Sequence, residues 1–158
     1  MASDQESRYR RSYYVPQEEK THDITDALLP SQPRKVLILE DDESLTKVLE
    51  ESLGTINCSV TAVTNGVEGI RAIMAEDFDA IVCDMVMPKL AGDMFYLAVE
   101  RARPHLCKRF VFMTGYRAEK RLDEFARSKG CLILFKPFEL GVFLETVQAI
   151  LNKAKPQP

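Results

Sequence analysis

Five residues of this chain would do chemistry together if folding brought them to one place: Glu40, Asp41, Asp84, Thr114 and Lys136. They follow short apolar runs: VLIL before Glu40-Asp41, AIVC before Asp84, RFVFM before Thr114 and LILF before Lys136. Three carboxylates in one pocket repel one another, so the set calls for a cation. An all-oxygen site with open positions suits Mg²⁺, which keeps water ligands and accepts a phosphate oxygen as a further one. A hydroxyl and an ammonium facing that cation are what the remaining oxygens of a phosphoryl group require. Asp84 is then the candidate nucleophile, attacking phosphorus in line to give an acyl phosphate.

Taken singly, each of these residues has an ordinary reading. An acidic run after a strand is the charge that suits a helix N-terminus. A lone aspartate at a strand end is commonly a cap or turn residue, and Thr114-Gly115 is a common turn. Lys136-Pro137 reads as a solvated lysine before a helix start. The case rests on their joint placement at four strand ends, in this order.

The elements that must position them are short buried strands alternating with amphipathic helices. FDAIVCDMVMPKLAG, residues 78–92, is the clearest strand signal: a continuous apolar run ended by one charge and then by Met87-Pro88. Such runs belong to strands covered on both faces of a parallel sheet. Val36–Leu39, Ser59–Val63, Arg109–Met113 and Leu132–Phe135 supply the other four. Between them, Leu45, Val48, Leu49 and Leu53 recur at helical spacing, as do Val67, Ile70 and Met74, and Met94, Phe95, Leu97 and Ala98. A weaker helix is expected over AEKRLDEFARSKG, with Leu122, Phe125 and Ala126 as its apolar face. The last helix carries the stripe Leu140, Phe143, Leu144, Val147, Ile150 and Leu151. Five strands alternating with five helices predict an α/β doubly wound parallel sheet with helices on both faces. Ligands of such sheets bind at the carboxyl ends of the strands.

Length and composition agree with one domain and tails. The chain has 158 residues, 46% of them hydrophobic and 28% charged, with a net charge of −3. That balance argues against nucleic-acid binding through a basic surface. No apolar run approaches the ~20 residues that span a bilayer, and the N-terminus lacks the apolar segment of a secretory signal, so a cytoplasmic location and no membrane partner are expected. Four cysteines without a Cys-x-x-Cys pair, and only two histidines, support packing over a structural zinc site or redox chemistry. Residues 1–33 are polar, proline-bearing and expected to be a disordered or partner-docking tail. Within it lie a basic-aromatic cluster, Arg8 to Tyr14, and one possible helical turn, DITDALLP. The folded domain is expected over 34–153, followed by a short tail, 154–158.

The segments VLILEDDES, FDAIVCDMVMPKLAG, VFMTGY and LFKPF together resemble a response-regulator receiver domain over about Lys35 to Asn152. The resemblance implies a flavodoxin-like fold with strand order 2-1-3-4-5 and Mg²⁺-dependent phosphorylation. By position, Glu40 and Asp41 match the family's acidic metal pair, Asp84 its phosphorylated aspartate, Thr114 its switch hydroxyl and Lys136 its phosphoryl-contacting lysine. The third metal contact in the family is a backbone carbonyl, here that of Val86, and the Lys136-Pro137 bond is expected to be cis. A histidine kinase or phosphotransfer protein is the implied donor. With too few residues after the last helix for an output module, a stand-alone receiver is expected to signal through a partner surface around residues 118–151, made by the fourth helix, fifth strand and fifth helix.

The chain also departs from the family pattern. Ile133 stands where a switching Tyr or Phe is common, and its β-branched side chain is stiff. Ala91 replaces the usual aspartate before the loop glycine. Val86 and Tyr116 flank the expected path of the hydrolytic water, which implies a long-lived phosphorylated state. Two other classes stay in view. A phosphorylation-independent receiver-like interaction module would keep the fold without the chemistry. A phosphohydrolase of similar topology needs a second aspartate as acid/base where this chain has Val86. A hydroxyl- and glycine-rich phosphate loop after the first strand is absent, which disfavours flavin binding.

Overall fold

In the computed structural model, residues 32–115 and 120–154 are described. The expected turn DITDALLP, the basic-aromatic cluster and Tyr116 lie outside them. A compact unit begins at Pro33. Its chain runs β1 (Arg34–Leu39), α1 (Glu43–Gly54), β2 (Cys58–Val63), α2 (Gly66–Ala75), β3 (Ala80–Asp84), α3 (Gly92–Ala102), a 3₁₀ turn (Pro104–Arg109), β4 (Phe110–Gly115), α4 (Lys120–Ser128), β5 (Leu132–Lys136) and α5 (Leu140–Lys153).

All four strand pairings are parallel, and the sheet order is β2-β1-β3-β4-β5. β3 lies at the centre, and all five of its residues are buried. Its unbroken apolar character follows from having helices over both faces. On one face Leu37, Leu39, Ile81, Cys83, Phe110 and Phe112 pack with Ile73 of α2, Phe95, Tyr96 and Val99 of α3, and Leu122 and Ala126 of α4. On the other, Val36, Ile38, Val82, Val111, Met113 and Leu134 pack with Leu49 and Leu53 of α1 and Phe143, Val147, Ile150 and Leu151 of α5. Each of these large side chains contributes about 1.5–3 kcal/mol by leaving water, which outweighs the weak intrinsic preference of short helices.

The periodicity located the helices but misassigned part of their faces. Val67 and Met74, expected on the buried side of α2, are exposed, as are Val48 of α1 and Met94 of α3. The buried face of α2 runs instead through Gly66, Gly69 and Ile73. A side chain at Gly69 would meet Leu39 and Phe95, so this helix approaches the sheet through its glycines and turns Val67 and Met74 outward. Arg109, expected in the fourth strand, closes the 3₁₀ turn, and Pro104 opens that turn with its fixed φ. The four cysteines are free thiols, with Cys83 buried. Burial pushes the Cys131 thiol up to about 11 and the Cys107 thiol upward, in keeping with packing roles.

Candidate functional site

The sheet register gathers the chemistry-bearing residues at one rim. Leu39 pairs with Cys83, so Glu40 follows β1 where Asp84 ends β3; Asp84 pairs with Met113, and Gly115 pairs with Lys136. Parallel strands in this order therefore bring Glu40, Asp84, Thr114 and Lys136 together from across nearly a hundred residues of sequence.

Lys136 is the centre of the constellation. Its Nζ donates to Glu40 Oε2 at 2.7 Å and to Asp84 Oδ2 at 2.8 Å. Burial alone would lower the ammonium's pKa, but the hydrogen bonds to Asp84 and Glu40 outweigh it and hold Lys136 above its usual value. Glu40 moves upward because burial dominates, with the Lys136 hydrogen bond and the Asp42 amide opposing it. The chain leaving β1 folds back on this carboxylate, as Asp42 N donates to Glu40 Oε1 at 3.0 Å. Asp42 itself caps α1 by accepting from Leu45 N. The acidic run thus divides its labour: Glu40 turns inward, Asp41 is exposed at the rim, and Asp42 serves the helix.

The loop after β3 wraps the second carboxylate. Val86 N donates to Asp84 Oδ1 at 2.9 Å, while the Val86 side chain is exposed. Lys89 adopts a positive φ of 65°, and Leu90 N donates to Pro88 O, closing a γ-turn. Gly92 N then returns to Met85 O at 3.1 Å. A Cβ on Gly92 would lie 2.6 Å from the Asp84 carbonyl oxygen, so only glycine permits this approach. Thr114 is 1% exposed, and its Oγ1 has no hydrogen-bond partner among the described residues. A buried hydroxyl without a partner costs stability, which points to a ligand oxygen as its intended partner.

One oxygen each from Glu40, Asp41 and Asp84 lies within 4.8 Å of the others. Hard carboxylate oxygens in such a cluster fit a small divalent cation such as Mg²⁺. The Lys136-Pro137 bond is cis, as the family resemblance implied. Ile133 packs, half-buried, against the α2–α3–α4 side of the core. Sequence reasoning overlooked Phe135, two residues along the same face of β5, which is half exposed with the Arg127 guanidinium 6.0 Å from its ring centre. The signal was present in LFKPF but was read only for its lysine.

A doubly wound five-stranded parallel sheet with an acidic rim and a bridging lysine defines a class of α/β proteins that gather their charged residues at the carboxyl ends of the strands. The chain belongs to the response-regulator receiver domain family, whose model matches residues 36–148. It is 25% identical over 121 residues to the response regulator receiver protein CpdR of Brucella abortus, covering 77% of this chain and 99% of CpdR. It is 30% identical over 113 residues to the response regulator protein FleR of Pseudomonas aeruginosa, covering 72% of this chain but 24% of FleR. The chain thus spans nearly all of one curated relative and about a quarter of the other. A CheY-like receiver domain protein from Methanospirillum hungatei superposes with a TM-score of 0.70 at 22% identity, covering 77% of this chain and 95% of that one. Vibrio cholerae CheY4 gives 0.67 at 23% identity, over 75% and 99%. The fold is that of flavodoxin-like receivers.

Proposed function

We propose that this protein is a phosphoacceptor of two-component or phosphorelay signalling, and that Asp84 receives the phosphoryl group. The observation that carries this reading is the Lys136 ammonium held between Glu40 and Asp84, with the Thr114 hydroxyl at the same rim and without a partner among the described residues. One carboxylate oxygen of Asp84 attacks phosphorus, and the bond from phosphorus to the donor's leaving group breaks as the acyl phosphate forms. For a phosphohistidine donor the leaving group is the imidazole nitrogen, which keeps the electron pair and takes a proton. The Val86 amide and Lys136 fix the carboxylate's orientation before attack. After transfer, Lys136 and Thr114 are the donors available to the new phosphoryl oxygens. Glu40, Asp41, Asp84 and the Val86 carbonyl would hold Mg²⁺, which neutralises charge on the phosphoryl oxygens when bound.

The donor is a histidine kinase or a phosphotransfer protein, as it is for receiver domains generally, and the setting is cytoplasmic; no described helix is long and apolar enough to cross a membrane. The receiver occupies residues 34–153. Output passes to a protein partner through α4, β5 and α5, where Leu132, Phe135, Leu140 and Val142 are exposed. The Val86 side chain, standing exposed beside the carboxylate, obstructs a hydrolytic water and favours a long-lived phosphorylated form.

Incubation with Mg²⁺ and acetyl phosphate, followed by intact mass, tests the proposal. Wild type is expected to gain one phosphoryl group and Asp84→Asn none. Equal labelling of Asp84→Asn would place the chemistry on another carboxylate. No labelling of wild type by this donor or by a panel of kinases would favour the phosphorylation-independent module.

A further inference from the structure

α3 begins without a side-chain cap, since its N-cap position is Ala91. Its first turn instead carries Asp93, a carboxylate only 4% exposed on the buried side of the helix with Phe95 and Tyr96. Asp93 Oδ1 accepts from Met94 N at 2.9 Å, and Oδ2 accepts from Arg121 Nη1 at 2.9 Å. Arg121 lies in the first turn of α4, and its side chain is two-thirds exposed. A buried carboxylate stripped of its cation is strongly unfavourable, so Asp93 constrains where the start of α4 can sit.

The residue before Asp93 is Gly92, which is seated on the backbone of Asp84 and hydrogen-bonded to Met85 O. The phosphoacceptor backbone, Gly92 and the Asp93 carboxylate are therefore one packed unit, and Arg121 attaches α4 to it. The middle and end of the helix are held separately, by Phe125 edge-on to Tyr96 and Phe112 and by Lys129 bonded to Glu100 of α3, so the Asp93–Arg121 pair is the link at its first turn. The helix is short and polar, with Leu122 and Ala126 buried and Phe125 partly so. β5 supplies no swinging aromatic at Ile133, whose branched side chain is fixed by its own backbone.

We propose that the Asp93–Arg121 ion pair is the coupling element that reports the state of Asp84 to α4. The inference rests on the phosphoacceptor reading and adds the route by which phosphorylation reaches the proposed partner face. A phosphoryl group brings about −1.5 to −2 of charge to the rim beside Asp93. The exposed guanidinium is drawn more firmly toward that rim, and the first turn of α4 follows it. The ligand contributes differential free energy to one of two positions of α4, as a population shift requires.

The test uses the full chain with Mg²⁺ and acetyl phosphate, measuring phosphoryl uptake by intact mass and hydrogen exchange across residues 120–128 in the same samples. Wild type is expected to take up one phosphoryl group and to slow exchange in the first turn of α4 by about fivefold or more, the lower end of typical allosteric couplings. Arg121→Gln, which keeps a donor for Asp93 but removes the charge, is expected to phosphorylate normally and lose that slowing, and Arg121→Lys to restore part of it. Asp93→Asn keeps the shape and should behave as Arg121→Gln. If phosphorylated Arg121→Gln slows its α4 exchange as much as wild type, the ion pair is not the coupling element. Phosphoryl uptake by wild type with no change in α4 would overturn the coupling while leaving the phosphoacceptor reading intact. Absence of uptake would remove both.

Discussion

Replacing Lys136 by Met removes the cation between two carboxylates while keeping most of the side chain's volume. The side chains of Glu40 and Asp84 are only 1% and 9% exposed. Their facing oxygens lie no more than 4.8 Å apart, so at an effective dielectric near 20 two full charges repel by about 3.5 kcal/mol. Protonating one of them caps this cost at roughly 1.4 kcal/mol for each pH unit above the carboxyl's ordinary value. For Glu40 that value is 4.5, and burial already raises it in the folded state. Losing Lys136 raises it further. A folded-state pKa above the unfolded one means the deficit is fully present above the folded value and shrinks as pH falls toward the unfolded one.

Because Lys136 is a quarter exposed, water returns part of the loss. The expected destabilisation is about 3 kcal/mol near pH 7.5 and about 1 kcal/mol near pH 5.5. For a domain of this size, 3 kcal/mol corresponds to a melting-temperature drop of roughly 10 °C or more. Urea unfolding at the two pH values, with and without Mg²⁺, measures both numbers. Added Mg²⁺ should recover part of the loss at the higher pH, since it supplies the missing positive charge. A deficit that is small at the higher pH, or equal at both, would refute the electrostatic account of Lys136.

Three other perturbations have expected outcomes. Thr114→Val removes a buried hydroxyl without a partner among the described residues and should leave the unphosphorylated protein as stable or up to about 1 kcal/mol more stable in urea unfolding; the phosphorylated form, followed by mass, should decay at an altered rate. Gly92→Ala forces a methyl against the Asp84 carbonyl and should cost about 1–3 kcal/mol, with phosphoryl uptake reduced more than the lost stability explains. Mg²⁺ should raise the melting temperature of wild type, by an amount equivalent to about 2.7 kcal/mol at a hundred times its dissociation constant. Asp41→Asn should weaken that response by scanning calorimetry while changing stability in the absence of metal by less than about 0.5 kcal/mol, as for an ordinary exposed position.

The rim of the sheet was legible because it depends on strand ends. An apolar run that stops at a charge names both a buried strand and the residue delivered at its carboxyl end, and parallel order then sets Glu40, Asp84, Thr114 and Lys136 side by side. What stayed hidden involves contacts without a sequence period. Asp93 and Arg121 lie on helices whose apolar patterns say nothing of a salt link 28 residues long. The face of α2 was misread because hydrophobicity cannot show that Gly66 and Gly69 are the closest-packed positions. The 3₁₀ turn before β4 was left unread and its last residue, Arg109, was assigned to the strand, since one short turn has too few residues to display a repeat. Phe135 was passed over beside a more eloquent lysine.

Arg34, the first residue of β1, reaches the far end of the fold. Its guanidinium donates to Leu151 O and Ala154 O at the close of α5, and to the buried carboxylate of Asp79. The first and last elements therefore meet at a corner opposite the acidic rim, separated from it by the length of β1, roughly 20 Å for six residues. A short linker from residue 154 back to residue 34 would close the chain into a ring without crossing the reactive edge. New termini opened elsewhere would then yield a permuted protein with the same sheet order. Because the pairing at Arg34 would be made within a loop instead of between distant ends, such a permutant would form its β1–α5 contact with far less chain to gather, while the chemistry at Asp84 stayed as it is.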